Sequence, residues 1–348
     1  MTRIKTLQLR LKEWDLDALL LENPVDLFYL TGLHFSKGRL LVFPNEVQLF
    51  VDGRYFASAS EHAPCPVHLW DKKSLLPQGK VGFDSSFMSV EALEQLKKEA
   101  PKTEWSAISK PLKEMRVIKD QKEIEALRKA ASLTWKGIEK MRSCLKVGVS
   151  EQEIAWEFEQ FVRTRGASGL SFEPIVAFGK NSALPHHRAA SDRLEKGQLV
   201  LFDVGAIVDS YCGDATRVYF FGDVDARLRT MYALVREAHL AAREKGCIGR
   251  EVGELDKAAR AVFAREDVEP LFVHSLGHGI GLETHEYPLL KSSGADVNLK
   301  LQKNMVFTIE PGLYLPGSGG VRLEDTGLVT EKGFDSFYPE LEADPIIR

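Results

Sequence analysis

FDVGAIVDSYCGDATR, residues 202–217, sets two aspartates, Asp203 and Asp214, eleven residues apart between apolar runs. Leu199-Val200-Leu201-Phe202 reads as a buried strand, and Arg217-Val218-Tyr219-Phe220-Phe221 reads as its return. A hairpin tip at Val208-Asp209 places Asp203 directly opposite Asp214. Opposed residues share a face, with Cβ atoms roughly 5 Å apart. Two carboxylates that close, framed by apolar strands, cannot both stay ionised without compensation. A divalent cation provides it; two solvated hairpin acids are the plainer alternative.

The surrounding chain has 348 residues, 44% hydrophobic and 28% charged, the mix of a folded globular protein. Its length suggests about two domains. A net charge of −4 gives no basic field for nucleic acid or an anionic membrane. No apolar run approaches the ~18 residues of a spanning helix. MTRIKTLQLRLKEWDLDALLLE mixes charges into its apolar positions, so it reads as an amphipathic helix running into a strand, not a signal peptide. Cys65, Cys144, Cys212 and Cys247 lie far apart without a CxxC pair, which suits reduced thiols in a cytoplasm. Cys212, inside the aspartate hairpin, reads more readily as a packed thiol than as a weak ligand.

Before residue 116, strand candidates at 17–22, 40–43, 47–51, 67–70 and 81–83 are separated by turn clusters such as Glu22-Asn23-Pro24. The histidines there, His34, His62 and His68, form no ligand pattern. A helix begins near Lys119. Ile124, Leu127, Ala131, Trp135, Ile138, Met141 and Leu145 make its apolar stripe, and Gly148 stops it. Ser150-Glu151-Gln152-Glu153 has the form of a capping box opening the next helix. Two further helices are expected over residues 225–245 and 251–264. The boundary falls near Lys113–Asp120, giving domains 1–116 and 117–348. A loose internal duplication is read in the second, since each half supplies a hairpin bearing two carboxylates.

Five of the nine histidines fall in two clusters of the second domain: His186 and His187, then His274, His278 and His285. Glycines at 277, 279 and 281 are expected to let the backbone approach closely and take unusual dihedrals around His278. Such a block fits an ordinary core strand poorly. In Met305-Val306-Phe307-Thr308-Ile309-Glu310-Pro311, the strand period sets Val306, Thr308 and Glu310 on one face, and Pro311 puts Glu310 at the rim. Arg322, Glu324 and Thr326 share a face by the same period. Each glutamate alone reads as a surface acid. Together with Asp203, Asp214 and His278 they make four carboxylates and one imidazole, an oxygen-rich set that favours hard divalent ions over structural zinc. Four negative ligands exceed the need of one cation, so two ions sharing carboxylates are the natural stoichiometry, which the spacing alone does not make compulsory. Paired metals about 3.5–4 Å apart support hydrolysis of a polarised carbonyl.

FDVGAIVDSYCGDATR, HSLGHGIGLETHEYP, MVFTIEPGLYL and GGVRLEDT, in this order, resemble motifs of the aminopeptidase P and prolidase family of pita-bread metallopeptidases. LDALLLENPVDLFYLTG looks like the start of that family's smaller N-terminal domain. The resemblance covers nearly the whole chain. It implies an α+β fold: a pita-bread (creatinase/aminopeptidase-like) catalytic domain behind a smaller α/β N-terminal domain. It also implies Asp203, Asp214, His278, Glu310 and Glu324 as ligands of two divalent ions, manganese first, with cobalt or zinc as alternatives. Glu310 would also be the general base. His186 and His285 would contact the substrate and steady developing charge, and His274 and Arg322 would line the pocket. Arg322 would orient Glu324 or a substrate carboxylate, and Thr216 would orient Asp214. His187 receives no role.

The implied substrates are short peptides with proline at the second position. Their scissile bond is a tertiary amide with no N–H to recognise. Cleavage of the Xaa-Pro bond at the N-terminus of longer peptides is the reading toward which the chain leans, with Xaa-Pro dipeptidase as the alternative. Methionine aminopeptidase, a creatinase-like hydrolase and a non-catalytic binding module stand further off. A homodimer is implied by resemblance only.

Overall fold

The structure, a computed structural model, describes residues 2–70 and 77–347. By contacts the chain divides into two compact units, 1–115 and 116–348. In the first, chain order is α1 (Arg3–Glu13), β1 (Ala18–Leu21), α2 (Pro24–Thr31), β2 (Gly38–Val42), β3 (Val47–Val51), α3 (Phe56–His62), β4 (Val67–Leu69), β5 (Gly79–Asp84), α4 (Val90–Glu99) and β6 (Thr103–Ile108). The strands form one mixed sheet in the order β4-β3-β2-β1-β5-β6. Ala18, Leu20, Leu41, Phe50, Val81 and Leu96 make part of its core. The amphipathic start and the five expected strands are present. β6 is additional: an edge strand of half-exposed residues, it lacks the apolar run that betrays a central strand.

α5 (Lys113–Val117) precedes the elements of the second unit: α6 (Gln121–Cys144), α7 (Glu151–Arg163), β7 (Gly169–Leu170), β8 (Ile175–Phe178), β9 (Gln198–Val204), β10 (Ala206–Val208), β11 (Tyr211–Cys212), β12 (Ala215–Phe221), α8 (Ala226–Glu244), α9 (Val252–Arg265), β13 (Gly277–Gly279), β14 (Glu286–Leu290), β15 (Val306–Ile309), β16 (Gly312–Leu315), β17 (Gly319–Arg322), β18 (Glu324–Thr330), β19 (Gly333–Ser336) and β20 (Ile346–Ile347). Asp120 and Ser150 cap α6 and α7 through reciprocal capping boxes. The main sheet runs β14-β13-β15-β18-β12-β9-β8. Val200, Phe202, Val204 and Tyr219 pack with Ile138, Ile154 and Phe158 of α6 and α7. Phe307, Ile309 and Val329 belong to a second core with Val235, Ala238, Leu255 and Phe263 of α8 and α9. No helix among the described residues is long and apolar enough to cross a membrane.

The hairpin register differs from the sequence expectation. Its tip is Asp209-Ser210, with φ of 50° and 71°, the left-handed pair that a two-residue hairpin turn uses. Thr216, not Asp214, therefore lies opposite Asp203. The shift is two residues, so Asp214 keeps its face and becomes a diagonal neighbour of Asp203. Beyond Val204 the hairpin leaves the main sheet at Gly205 and Gly213 and joins β7. A Cβ on Gly205 would sit 2.0 Å from the Gly213 carbonyl oxygen, so the crossing admits no side chain.

A second correction concerns the glycine-rich block. Gly277-His278-Gly279 is a strand, bulged after His278, and none of the glycines at 277, 279 and 281 has a left-handed φ. Close approach is their reason: a Cβ on Gly277 would meet the Thr308 carbonyl oxygen at 2.0 Å.

Candidate metal centre

The register of the main sheet assembles the site in two rows. Thr216 pairs with Asp203 on one side and with Glu324 on the other. One step past Ile309↔Asp325, the pairing brings Glu310 across from Glu324, and the Glu310 N–H donates to the Leu276 carbonyl at 2.7 Å. One row therefore reads Glu310, Glu324, Thr216, Asp203. Two residues along each strand, on the same face, the next reads His278, Thr308, Thr326, Asp214. Here the Thr308 hydroxyl accepts from the His278 N–H at 3.1 Å, and the Thr326 hydroxyl donates to the Asp214 carbonyl at 2.9 Å.

These rows floor a cavity of about 410 Å³. Its lining includes all five expected ligands together with His186, His187, His274, His285 and Arg322. Asp214, His278 and Glu324 offer ligand atoms that all lie within 4.8 Å of one another. Glu310 Oε1 stands 3.3 Å from His278 Nε2, and Asp214 Oδ2 stands 3.8 Å from it. Cys212 is not in the lining; it is buried, and burial raises its thiol to about 11, as a packed thiol requires.

Three observations show that the set fits a divalent cation. Asp203 Oδ1 and Asp214 Oδ1 are buried without a hydrogen-bond partner among the described residues. Burial, reinforced by Glu324, holds the Asp214 and Glu310 carboxyls well above the usual carboxylate range. Burial and then Asp203 push Glu324 up to about 8. Positive charge relieves all three. His278 completes the argument: its Nδ1 lies 3.0 Å from the Gly279 carbonyl and must donate there, which turns the Nε2 lone pair toward Asp214 and Glu310. Burial, then the His285 charge, lowers the His278 pKa to about 4, so this nitrogen is bare at neutral pH.

The remaining polar groups form supports. Arg322 pairs directly with Asp203, donates from Nη1 to the Tyr314 hydroxyl at 2.6 Å and from Nε to Thr216 Oγ1 at 3.2 Å. Thr216 donates to Glu324 Oε2 at 2.7 Å. One expectation is thereby corrected: Thr216 orients Glu324 rather than Asp214, and among the described residues it is through Thr216 that Arg322 is linked to Glu324. The register shift is the cause, since it puts Thr216 between Asp203 and Glu324. Tyr314 passes the chain on to His274 Nε2 at 2.8 Å, while His274 Nδ1 donates to the Ser275 carbonyl. Burial, then Arg322, lowers His274 to about 4, consistent with an imidazole that accepts from a phenol. His285, on the β13–β14 connection, sets its ring 4.2 Å from that of His278. Tyr314 and Thr308 escaped the sequence reading as functional groups. Thr308 had a signal, sharing a strand face with Glu310; Tyr314 had none beyond its place in MVFTIEPGLYL.

Residues 125–331 match metallopeptidase family M24, and residues 3–118 match the creatinase/prolidase N-terminal domain. A Xaa-Pro dipeptidase of Pyrococcus furiosus is 34% identical over 337 residues, covering 95% of this chain and 96% of that protein. A solved prolidase from Pyrococcus horikoshii superposes with a TM-score of 0.93 at 32% identity, covering 98% of this chain and 99% of its own. A solved X-Pro aminopeptidase from Thermotoga maritima gives 0.88 at 30% identity, covering 100% of both chains. The chain belongs to metallopeptidase family M24, with the α+β pita-bread catalytic fold and a creatinase/prolidase-like N-terminal domain. It is accordingly a peptidase with peptide substrates, and a divalent metal belongs to its site.

Proposed function

We propose that this chain hydrolyses the Xaa-Pro bond as a dipeptidase, using two divalent ions, manganese first, held by Asp203, Asp214, His278, Glu310 and Glu324. One observation carries the reading: Asp214, His278 and Glu324 approach within 4.8 Å in a cavity that also collects His186, His274, His285 and Arg322. When bound, such ions polarise the scissile carbonyl and activate water. Glu310, partly open to the cavity, is the base that takes the proton of the attacking water. His186 and His285 meet the substrate from the cavity wall and donate to developing negative charge. Arg322 holds Asp203 in place. Phe172, Ile175, Pro185 and Leu289 supply apolar wall for a prolyl ring, which needs no amide donor.

The dipeptidase form follows the Pyrococcus relatives, and a cavity of about 410 Å³ is near the small end of ligand clefts. Aminopeptidase action on longer peptides is the second reading, favoured by the likeness to the Thermotoga enzyme. A catalytic domain at 117–348 behind an N-terminal domain at 1–116, a homodimer and a cytoplasmic location belong to the same proposal. The test is turnover of Xaa-Pro dipeptides and tripeptides before chelation, after it, and after manganese is restored. Dipeptide cleavage that vanishes and returns is expected. Indifference to chelation refutes metal hydrolysis; preferred tripeptide cleavage refutes the dipeptidase form.

A further inference from the structure

In Ser150-Glu151-Gln152-Glu153, Ser150 and Glu153 satisfy each other's backbone N–H groups and close the cap of α7. Glu151, the first residue of that helix, takes no side-chain part in the cap. Its side chain is wholly buried, yet every acceptor site is used. Oε1 accepts from the Phe178 N–H at 2.8 Å and from Asn181 Nδ2 at 2.9 Å. Oε2 accepts from the Ala190 N–H at 2.9 Å and from His187 Nε2 at 2.7 Å. Four donors match the four lone-pair sites of a carboxylate, and the helix N-terminus favours negative charge there. With every other partner a donor, His187 Nε2 carries its hydrogen toward Glu151.

All four donors come from one segment, 178–190, which brings His186 and His187 to the cavity. Phe178 and Ala190 are its two ends. A single carboxylate thus ties both ends and two intermediate side chains to a rigid helix, while Gln152 N–H donates to the Ala190 carbonyl at 3.1 Å.

We propose that the Glu151–His187 pair is a positioning device: it fixes segment 178–190 so that His186 stands where substrate arrives. This rests on the reading of His186 as a substrate contact. The Ser182 hydroxyl accepts from the Gly320 N–H at 2.8 Å and holds the buried turn at 179–183 by itself, so the tie bears chiefly on the exposed and half-buried residues 184–190. Misplacement of His186 by about 1 Å can cost roughly 10²-fold in rate.

The experiment uses the full-length, metal-loaded protein. His187→Phe keeps the ring volume but removes one donor; His187→Gln restores an N–H at similar reach. Expected for His187→Phe are a kcat lower by about 10–10²-fold, KM within a few-fold, unchanged metal content by elemental analysis, and recovery of most of the kcat in His187→Gln. In a His186→Ala background His187→Phe should cost nothing more, because the pair acts through that residue. Amide hydrogen exchange over 178–190 should accelerate in His187→Phe and not elsewhere. An equal loss in both backgrounds, unchanged exchange, or loss of metal would each overturn the proposal. Glu151→Gln, which sets an NH₂ against donors, should exceed His187→Phe in both kcat loss and exchange; should it fail to fold, the His187 series decides. A wild-type protein inert toward Xaa-Pro peptides refutes the function, whereas exchange needs no substrate and still decides whether the pair holds the segment.

Discussion

Thr216→Val isolates the link between Arg322 and Glu324 without touching a proposed ligand. Thr216 is fully buried between Asp203 and Glu324, and valine matches its branched shape but lacks its hydroxyl, so the change is read through the hydrogen bonds left unmade. The hydroxyl's 2.7 Å bond to Glu324 Oε2 is lost, and Arg322 Nε loses the acceptor it has at 3.2 Å. A hydrogen bond to a charged group contributes about 1.5–3 kcal/mol. Glu324 must be ionised to hold a cation, whereas its protonated form can hydrogen-bond otherwise. The loss therefore falls on the metal-bound form, and at about 1.4 kcal/mol per tenfold it weakens metal binding by roughly 10–100-fold. That range agrees with what removing an orienting partner of a ligand usually costs. Manganese titrated into metal-free protein, by calorimetry or against a competing chelator, measures it directly. Thr216→Ser should stay within a few-fold of wild type. Equal affinity in Thr216→Val and wild type, or equal weakening in both variants, would refute the reasoning.

His285→Ala should leave metal content intact while kcat falls about 10²–10³-fold, the cost of losing a positioned donor; metal loss would make His285 a ligand. His239, on α8, is wholly buried 3.7 Å from Asp325, with neither ring nitrogen hydrogen-bonded among the described residues. Burial lowers its pKa from 6.5 to about 4, so between those values the unfolded chain binds the extra proton and stability falls as pH drops. His239→Leu should remove about 2 kcal/mol of the stability difference between pH 7 and pH 5 in denaturant unfolding; parallel pH profiles for wild type and variant would contradict this.

Periodicity made much of the candidate site legible. Alternation put Glu310 on the face of Thr308, and Glu324 on that of Arg322 and Thr326, before any pairing was known. The same alternation hides a two-residue slip, because every side chain keeps its face. The tip at Asp209-Ser210 carries no Asn-Gly or Asp-Gly signal, so the slip went unread. β6 was missed for a related reason: a half-exposed edge strand carries little apolar signal.

By itself the sequence determined which side chains could bind metal, which strand faces they occupy and which helices carry caps, because these depend on residues within a few positions of one another. Only the tertiary structure decided that Thr216 serves Glu324, that Arg322 of β17 grips Asp203 of β9, and that Glu151 gathers the segment bearing His186. Such partners are set by strand order and by loops returning across tens of residues, and no local repeat encodes which distant donor will meet a buried carboxylate.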